Sequence, residues 1–335
     1  VLFGGLTLGL IAIFVISLML GSVNIPLDEI VRVLLGGEAS REAWQNIILK
    51  FRLPKALTAV FAGAALGVGG LLMQTFFRNP LADPFVLGIS SGASLGVAIV
   101  VLIAGGAGGA LLAGFGAIGD LGLTLAAAIG AGTVMLLVLL AARWLRNPLT
   151  ILILGLMSGY LTGAIVSLLM FFSVRERLQA YINWTFGSFG GVTIAQLPIL
   201  VGVILIGLIM AIGLAKALNA LLLGETYARS LGVNIRRLRF GVILATALLA
   251  GGVTAFCGPI GFLGIAVPHL GRAWFQTSDH RILIPASILI GGIVALIAAL
   301  IAEVPGSSAI LPLNAITALF GAPVVISVIL RRKTI

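Results

Sequence analysis

The sequence predicts an all-α integral membrane protein of about ten transmembrane helices, with short cytoplasmic helices between the sixth and seventh spans and a short extra outer helix after the fifth. Three observations carry this. The 335 residues are 60% hydrophobic and only 9% charged, against about a quarter charged in soluble domains. Nine stretches lack Asp, Glu, Lys and Arg: 1–27, 56–77, 84–119, 121–142, 147–174, 178–215, 240–271, 282–302 and 304–330. A spanning helix needs about 20 apolar residues, whereas spanning strands would show about 10 residues of alternating polarity. Finally, the basic residues segregate to one side once the chain is threaded.

Stretch 1–27 has no basic start and no small-residue cleavage site, and it exceeds the roughly 7–15-residue apolar region of a signal peptide. It reads as a retained helix, and the start at Val1 suggests a short preceding leader. Stretch 178–215 is too long for one crossing; Trp184 followed by Gly187, Gly190 and Gly191 marks a short extra helix before the sixth span. Stretch 240–271 lies between two basic segments, Arg236/Arg237/Arg239 and Arg272/Arg281, so it must cross twice. Gly258-Pro259 divides it into two short helices of roughly 17–20 residues, which brings the total to ten.

With both termini cytoplasmic, the inner loops hold 13 of the 20 basic residues and three acids, a net +10, while seven bases and seven acids cancel outside. The positive-inside rule expects this sign. The pI near 11.0 therefore reports orientation in a membrane, not nucleic-acid binding. The lone Cys257 cannot form an intrachain disulfide, and His269 and His280, without nearby acidic or sulfur partners in sequence, make a poor metal site. Both histidines read as structural. No converging nucleophile, base or metal set appears, so no catalytic residue is assigned.

Glycine supplies 45 of the 335 residues, about twice the usual share of roughly 7%. Gly88, Gly92 and Gly96 form one four-residue ladder, Gly155, Gly159 and Gly163 another, and Gly63 and Gly67 a pair. Such faces let helix backbones approach closely; they either pack tightly or line a wide pathway.

Segment 216–239, KALNALLLGETYARSLGVNIRRLR, is too polar to span and suits two short helices turning at glycine. Its Ala and Leu content exceeds what a solvated connector needs. The segment resembles the coupling loop of FecCD-type permeases of ATP-binding-cassette importers. The resemblance continues in order through RLPK at 52–55, AGAALGVGGLLMQTFFRNPLADPFVLGISSGASLG at 62–96, NWTFGSFGG at 183–191, CGPIGFLGIAVPHLGR at 257–272, SDHR at 278–281 and LPLNAITALFGAPVV at 311–325.

The resemblance implies a single permease domain, 1–335, in the bacterial cytoplasmic (inner) membrane, working as a homodimer with two ATPase subunits and a soluble or lipid-anchored binding protein. The cargo would be a ferric siderophore, haem or cobalamin. It further implies ATPase docking by Gly224, Glu225, Ala228, Arg229, Leu231 and Gly232, and binding-protein docking by Arg52 and Lys55, with Arg52 foremost. Gly155, Gly159, Gly163, Trp184, Gly187, Gly190 and Gly191 would serve pathway and gating roles. The outer loop 302–314 lacks the arginine the family often carries there, and Arg175 or Arg177 would replace it. No G-x-x-x-x-G-K-[ST] phosphate loop occurs; the chain needs no cofactor of its own, and ATP and Mg belong to the ATPase. The alternative is an ion-gradient-driven secondary transporter, which ordinarily places ionisable or broken-helix sites near the midplane. The charge-free stretches argue against it.

Overall fold

A computed structural model describes residues 2–103, 117–145, 147–303 and 311–332; Arg146, Lys333 and positions 304–310 of the predicted outer loop lie outside them. Every described helix follows from an apolar stretch or from a polar connector between two such stretches. Helix α1 (Leu2–Met19) leads to the short amphipathic α2 (Leu27–Leu34). A five-residue α3 (Glu42–Asn46) runs through a π turn, Ile47–Arg52, into α4 (Leu53–Phe76). After a 3-10 turn at Pro84–Leu87 come α5 (Ile89–Ala98), extended by a π turn at Ile99–Ile103, α6 (Ala117–Trp144) and α7 (Pro148–Phe171). The chain continues as α8 (Arg175–Thr185), α9 (Leu197–Leu222) and the six-residue α10 (Glu225–Ser230). Next, α11 (Ile235–Thr246) passes through a π turn, Ala247–Gly251, into α12 (Gly252–Cys257). Last are α13 (Leu263–Phe275), α14 (His280–Ala302) and α15 (Leu313–Arg332).

Seven of these segments are long and apolar enough to cross a membrane. They differ sharply in burial: 83% of the α4 window lies inside the protein, but only 6% of the α1 window does. Helix α4 is therefore the axis of the bundle, and its small residues explain why. A Cβ at Gly63 would collide with the Gly291 carbonyl of α14, and one at Gly291 with the Gly63 carbonyl. One turn pair further along, a Cβ at Gly70 would collide with the Gly264 backbone of α13, while one at Gly67 would lie 2.6 Å from Val267 Cγ1. Backbones thus touch backbones, and dispersion contacts replace the hydrophobic drive that is missing between helices in lipid. The second ladder works in the same way: Gly92 opposes Gly130 of α6, and Gly96 opposes Ala126.

Contacts at the helix ends sort into two levels. At one end Phe3 meets Phe275 with ring centroids 4.7 Å apart. There Thr75 Oγ1 lies 2.8 Å from His280 Nε2, and His280 Nδ1 lies 2.7 Å from Asn219 Oδ1. Asn219 in turn donates to Asp279 at 2.5 Å, and Asp279 caps α14 by accepting from the Arg281 N–H at 2.9 Å. The Arg281 N–H and the Asn219 amide hold the Asp279 carboxyl below its ordinary pKa. This relay ties α4, α9 and α14 together, which gives His280 the structural role expected of it. Beside it, Arg272 donates to Gln74 at 2.6 Å.

The broken span departs from expectation in its proportions. Its break falls at Gly258-Pro259, but the two parts are Ile235–Cys257 with 23 residues and α13 with 13, not two near-equal helices. Gly258 has φ +73°, and a Cβ there would lie 2.6 Å from the Trp184 carbonyl, so only glycine fits the turn. At about 1.5 Å per residue α13 falls short of a hydrocarbon core of about 30 Å. The buried, non-helical run around Ile260 makes up the difference, as buried irregular backbone can.

Substituting Gly63→Val or Gly291→Val should destabilise the bundle by about 1–3 kcal/mol through overpacking, read as a lower melting temperature in detergent. Gly132→Ala, with nothing within 4 Å of the added carbon, should leave it unchanged or raised. Equal melting temperatures for all three variants would show that these backbones are not closely packed.

Candidate functional site

The first candidate site lies at the end marked by Arg78, Asn219 and Asp279. Helix α9 stops at Leu222, and Gly224, at φ +114°, turns the chain into α10. Ala228 is fully buried against Ala220, Val233 and Ile235, so only a small side chain seats α10 on its neighbours. The exit from α10 is a Schellman cap: Gly232 (φ +82°) donates to the Arg229 carbonyl at 2.9 Å, and Val233 donates to the Ala228 carbonyl at 3.0 Å. Asn234 then caps α11 by accepting from the Arg237 N–H at 3.0 Å. The spacing of Glu225, Ala228, Leu231 and Gly232 is thus one structural sentence: ion pair, seat, exposed apolar contact, glycine exit.

Glu225 joins the elbow electrostatically. It accepts from Arg239, which is 9% exposed, at 2.7 Å and lies 3.7 Å from the outward-facing Arg229. The outer surface of the elbow shows Leu223, Tyr227 and Leu231, exposed by 66%, 50% and 58%. Beside it a cleft of about 770 Å³ opens between Phe76–Arg78, the pair Asn147 and Leu149, and the Leu223–Tyr227 turn. One expectation needs correction: segment 216–239 forms one six-residue helix between the ends of two long ones, not two short helices. Leu218 and Leu221 are buried, and this packing extends α9 to Leu222. Arg239, which pairs with Glu225, was not singled out by the sequence; fourteen residues separate the two, and no local period links them.

The second candidate site lies at the opposite end. Arg52, expected to lead an outer docking surface, is buried and donates to the carbonyls of Leu18 at 2.7 Å, Met19 at 3.0 Å and Val23. It staples the end of α1, whose last carbonyls have no helical partner. Lys55 forms an ion pair with Glu303 at the end of α14. Both cations thus have partners within the chain, Arg52 buried on backbone carbonyls and Lys55 half-buried on Glu303. Of the proposed replacements, Arg175 is exposed, whereas Arg177 donates to the Leu102 carbonyl at 3.2 Å.

Next to Lys55 and Glu303 a cavity of about 430 Å³ is walled by Asn183, the Phe186–Gly190 run and Pro312. This run is stitched in place: Ser188 donates to the Cys257 carbonyl at 2.8 Å, Asn314 donates to the Phe186 carbonyl at 3.0 Å, and Gly261 donates to Asn314 Oδ1 at 3.1 Å. Gly187 takes φ +69° against the Pro259 carbonyl. Trp184 stacks on Tyr181, centroids 6.4 Å apart. Gly190 donates to Ser188 Oγ at 3.1 Å, and a Cβ added there would come no closer than 3.6 Å to a neighbour, while one at Gly191 would face open space. The structure thus brings Trp184, Gly187, Gly190 and Gly191 to one place. The α7 ladder is divided: Gly155 abuts the Val86–Leu87 backbone, Gly159 lies near Ser91, and a Cβ added at Gly163 would meet nothing within 4 Å.

Because Glu225 is 30% exposed, Glu225→Ala should cost about 1–2 kcal/mol, somewhat below the range of a fully buried charged hydrogen bond. Arg229→Ala, at an exposed i,i+4 pair, should cost about 0.5 kcal/mol or less. Thermal denaturation of the two variants checks this, and the reverse order would break the assignment of Arg239 as the main partner. In the same assay Arg52→Gln should lower the melting temperature more than Lys55→Gln, since it strands three carbonyls; the opposite ranking would remove Arg52 from its structural role.

Comparison with known proteins agrees with this arrangement. The FecCD transport family is matched over residues 9–331. The hemin transport system permease protein HmuU of Yersinia pestis is 35% identical over 329 residues, covering 98% of this chain and 96% of the relative. The vitamin B12 import system permease protein BtuC of Klebsiella pneumoniae subsp. pneumoniae is also 35% identical, covering 98% and 93%. Among solved structures, an inward-facing metal-chelate type ABC transporter superposes with a TM-score of 0.84 at 29% identity, over 98% of this chain and 99% of that one. PsaBC from Streptococcus pneumoniae, at 15% identity and a TM-score of 0.51 over 89% and 94%, shares the fold. The chain belongs to the FecCD transport family and is a membrane permease, not an enzyme.

Proposed function

We propose that this chain is the permease subunit of an ATP-binding-cassette importer that carries a metal chelate of the haem, cobalamin or ferric-siderophore class from a binding protein to the cytoplasm by alternating access. The observation that carries the reading is the α10 elbow. Within a family of transport permeases, it offers an exposed apolar and charged surface on a helix seated by Ala228 and hinged at Gly224 and Gly232. A cytoplasmic ATPase docked there, holding ATP and Mg, would tilt α10 and with it the ends of α9 and α11. Glu225, Ala228 and Gly232 would set the shape of the docking surface, and Arg229 and Leu231 would make contact with the partner.

Ten crossings follow when α13, α15 and the apolar segment Ile89–Ile103 join the seven long spans. Both termini and α10 then lie in the cytoplasm of a bacterial inner membrane, and α8 lies outside. The whole chain, 1–335, acts as one permease domain with 216–239 as its coupling loop. A homodimer with two ATPases accounts for the large apolar faces left on α7 and α15, where Tyr160, Leu161, Leu319 and Phe320 are all more than half exposed. The pathway would run between the subunits past Gly163, with the Trp184–Gly191 segment at its outer mouth. Gly155 and Gly159 would support that wall from behind. At the outer rim Lys55 meets the binding protein by exchanging its Glu303 partner for an acidic group on that protein. No structural observation favours the ion-gradient alternative.

Uptake into proteoliposomes carrying the permease and its ATPase tests the proposal, with binding protein loaded with haem, cobalamin or ferric siderophore. ATP-dependent uptake of one of these is expected, and Arg229→Ala should retain ATP hydrolysis while losing most of the uptake. Uptake driven by an ion gradient without ATP would overturn the importer reading; full uptake by the Arg229 variant would overturn only the role given to that residue.

A further inference from the structure

Helix α2 carries more apolar surface than the protein covers. At about 100° per residue, Asp28, Glu29 and Arg32 share one polar sector of the wheel, and the remaining positions are apolar. Only part of that apolar arc packs inward: Ile30 and Val33 are 1% and 4% exposed. Leu27, Val31, Leu34 and Leu35, at 47%, 46%, 45% and 83%, form a ridge beside it with no cover. The rotation of α2 is fixed. Glu29, at the border of the polar sector, accepts from the Ser40 N–H at 2.8 Å, from the Ser40 hydroxyl and from Arg32 at 3.1 Å. The two Ser40 bonds hold its carboxyl below its ordinary pKa, so the anchor stays charged near neutrality. The ridge therefore cannot roll inward without breaking this clasp.

What covers the ridge is indicated by its surroundings. Helix α2 packs beside α1, the least buried span of the long helices. The exposed apolar surface of α1, through Leu8, Ile11 and Ile16, leads by way of Leu20 and Val23 to Leu27, with the small polar Ser22 and Asn24 exposed between them. Nearby, Arg41 stacks over Trp44 with its guanidinium carbon 4.8 Å from the ring, and Phe51 is 68% exposed. Trp and cationic residues favour the headgroup level of a bilayer. An amphipathic helix continuous with a lipid-facing span has the form of an interfacial helix.

We infer that α2 is a membrane-interface anchor, its Leu27/Val31/Leu34/Leu35 ridge seated among the lipids of the same leaflet that surrounds the Arg52 end of α1. The ridge is wholly aliphatic, so it selects for apolar burial and not for a particular headgroup charge.

The single cysteine, Cys257, is 3% exposed, so a nitroxide can be directed to one introduced thiol at a time. The test uses the full chain in nanodiscs of phosphatidylcholine, labelled at Val31→Cys, Leu35→Cys, Asp28→Cys or Arg32→Cys. Collisional relaxation by oxygen, which concentrates in lipid, is compared with that by a water-soluble nickel chelate. The ridge positions should be oxygen-accessible and nickel-excluded, at a depth of about 5–10 Å into the headgroup and acyl boundary, and the two polar positions should show the reverse. Nickel access at all four positions would overturn the inference. Nickel exclusion from the ridge that arises only after a soluble binding protein is added would also overturn it, by showing a protein-docking face instead.

Discussion

The close backbone contact of α4 with α14 and α13 is the constraint on which the other positions depend. Gly63 against Gly291 and Gly70 against Gly264 fix α4 along its length to two neighbours at once. In a lipid environment apolar side chains gain little by meeting each other rather than acyl chains, so the closeness made possible by absent side chains does the work that burial does in water. Once α4 is fixed, its two ends are placed. One end brings Gln74, Thr75 and Arg78 toward Arg272, His280 and the α9–α10 turn, and the other brings Arg52 and Lys55 to α1 and Glu303.

The two candidate sites are built differently, which suits different tasks. The α10 elbow is a compact unit of its own, with one buried alanine, one internal acid and two glycine joints, attached to the rest through α9 and α11. It can therefore move as a piece. The Phe186–Gly191 run has almost no core of its own beyond Phe189, and is held by hydrogen bonds to the helix break at Cys257 and to the start of α15. Any displacement of α15 or of the break must be felt there.

The helices were legible in the sequence because a charge-free run of sufficient length has few alternatives in a membrane, and the break at Gly258-Pro259 was legible because only glycine tolerates its positive φ. The glycine spacings also pointed to close packing, though not to which helix would be met. Side-chain roles set by distant partners could not be read. Arg52 looked like a surface charge beside Lys55 because nothing local reveals that the end of α1 supplies three carbonyls in its reach. The length of α9 was underestimated for a related reason: Lys216 and Asn219 make the segment polar, while the burial of Leu218 and Leu221 keeps it helical. Asn219 is drawn in by His280 and Asp279, sixty residues and more along the chain.

The Arg52 clasp also bears on how α1 fits the membrane around it. Helix α1 packs on α14 along its middle, where Gly9 and Leu10 meet Ile293 and Gly292, and it is secured near both ends, by the Phe3–Phe275 contact and by Arg52 on its last carbonyls. Pinned in this way, α1 cannot relieve a hydrophobic mismatch by tilting freely. A bilayer of another thickness must instead adjust beside it, or shift the apolar Leu20 and Val23 relative to the interface. A single arginine buried on backbone oxygens thus passes the fit between α1 and its lipid surroundings on to the start of α4.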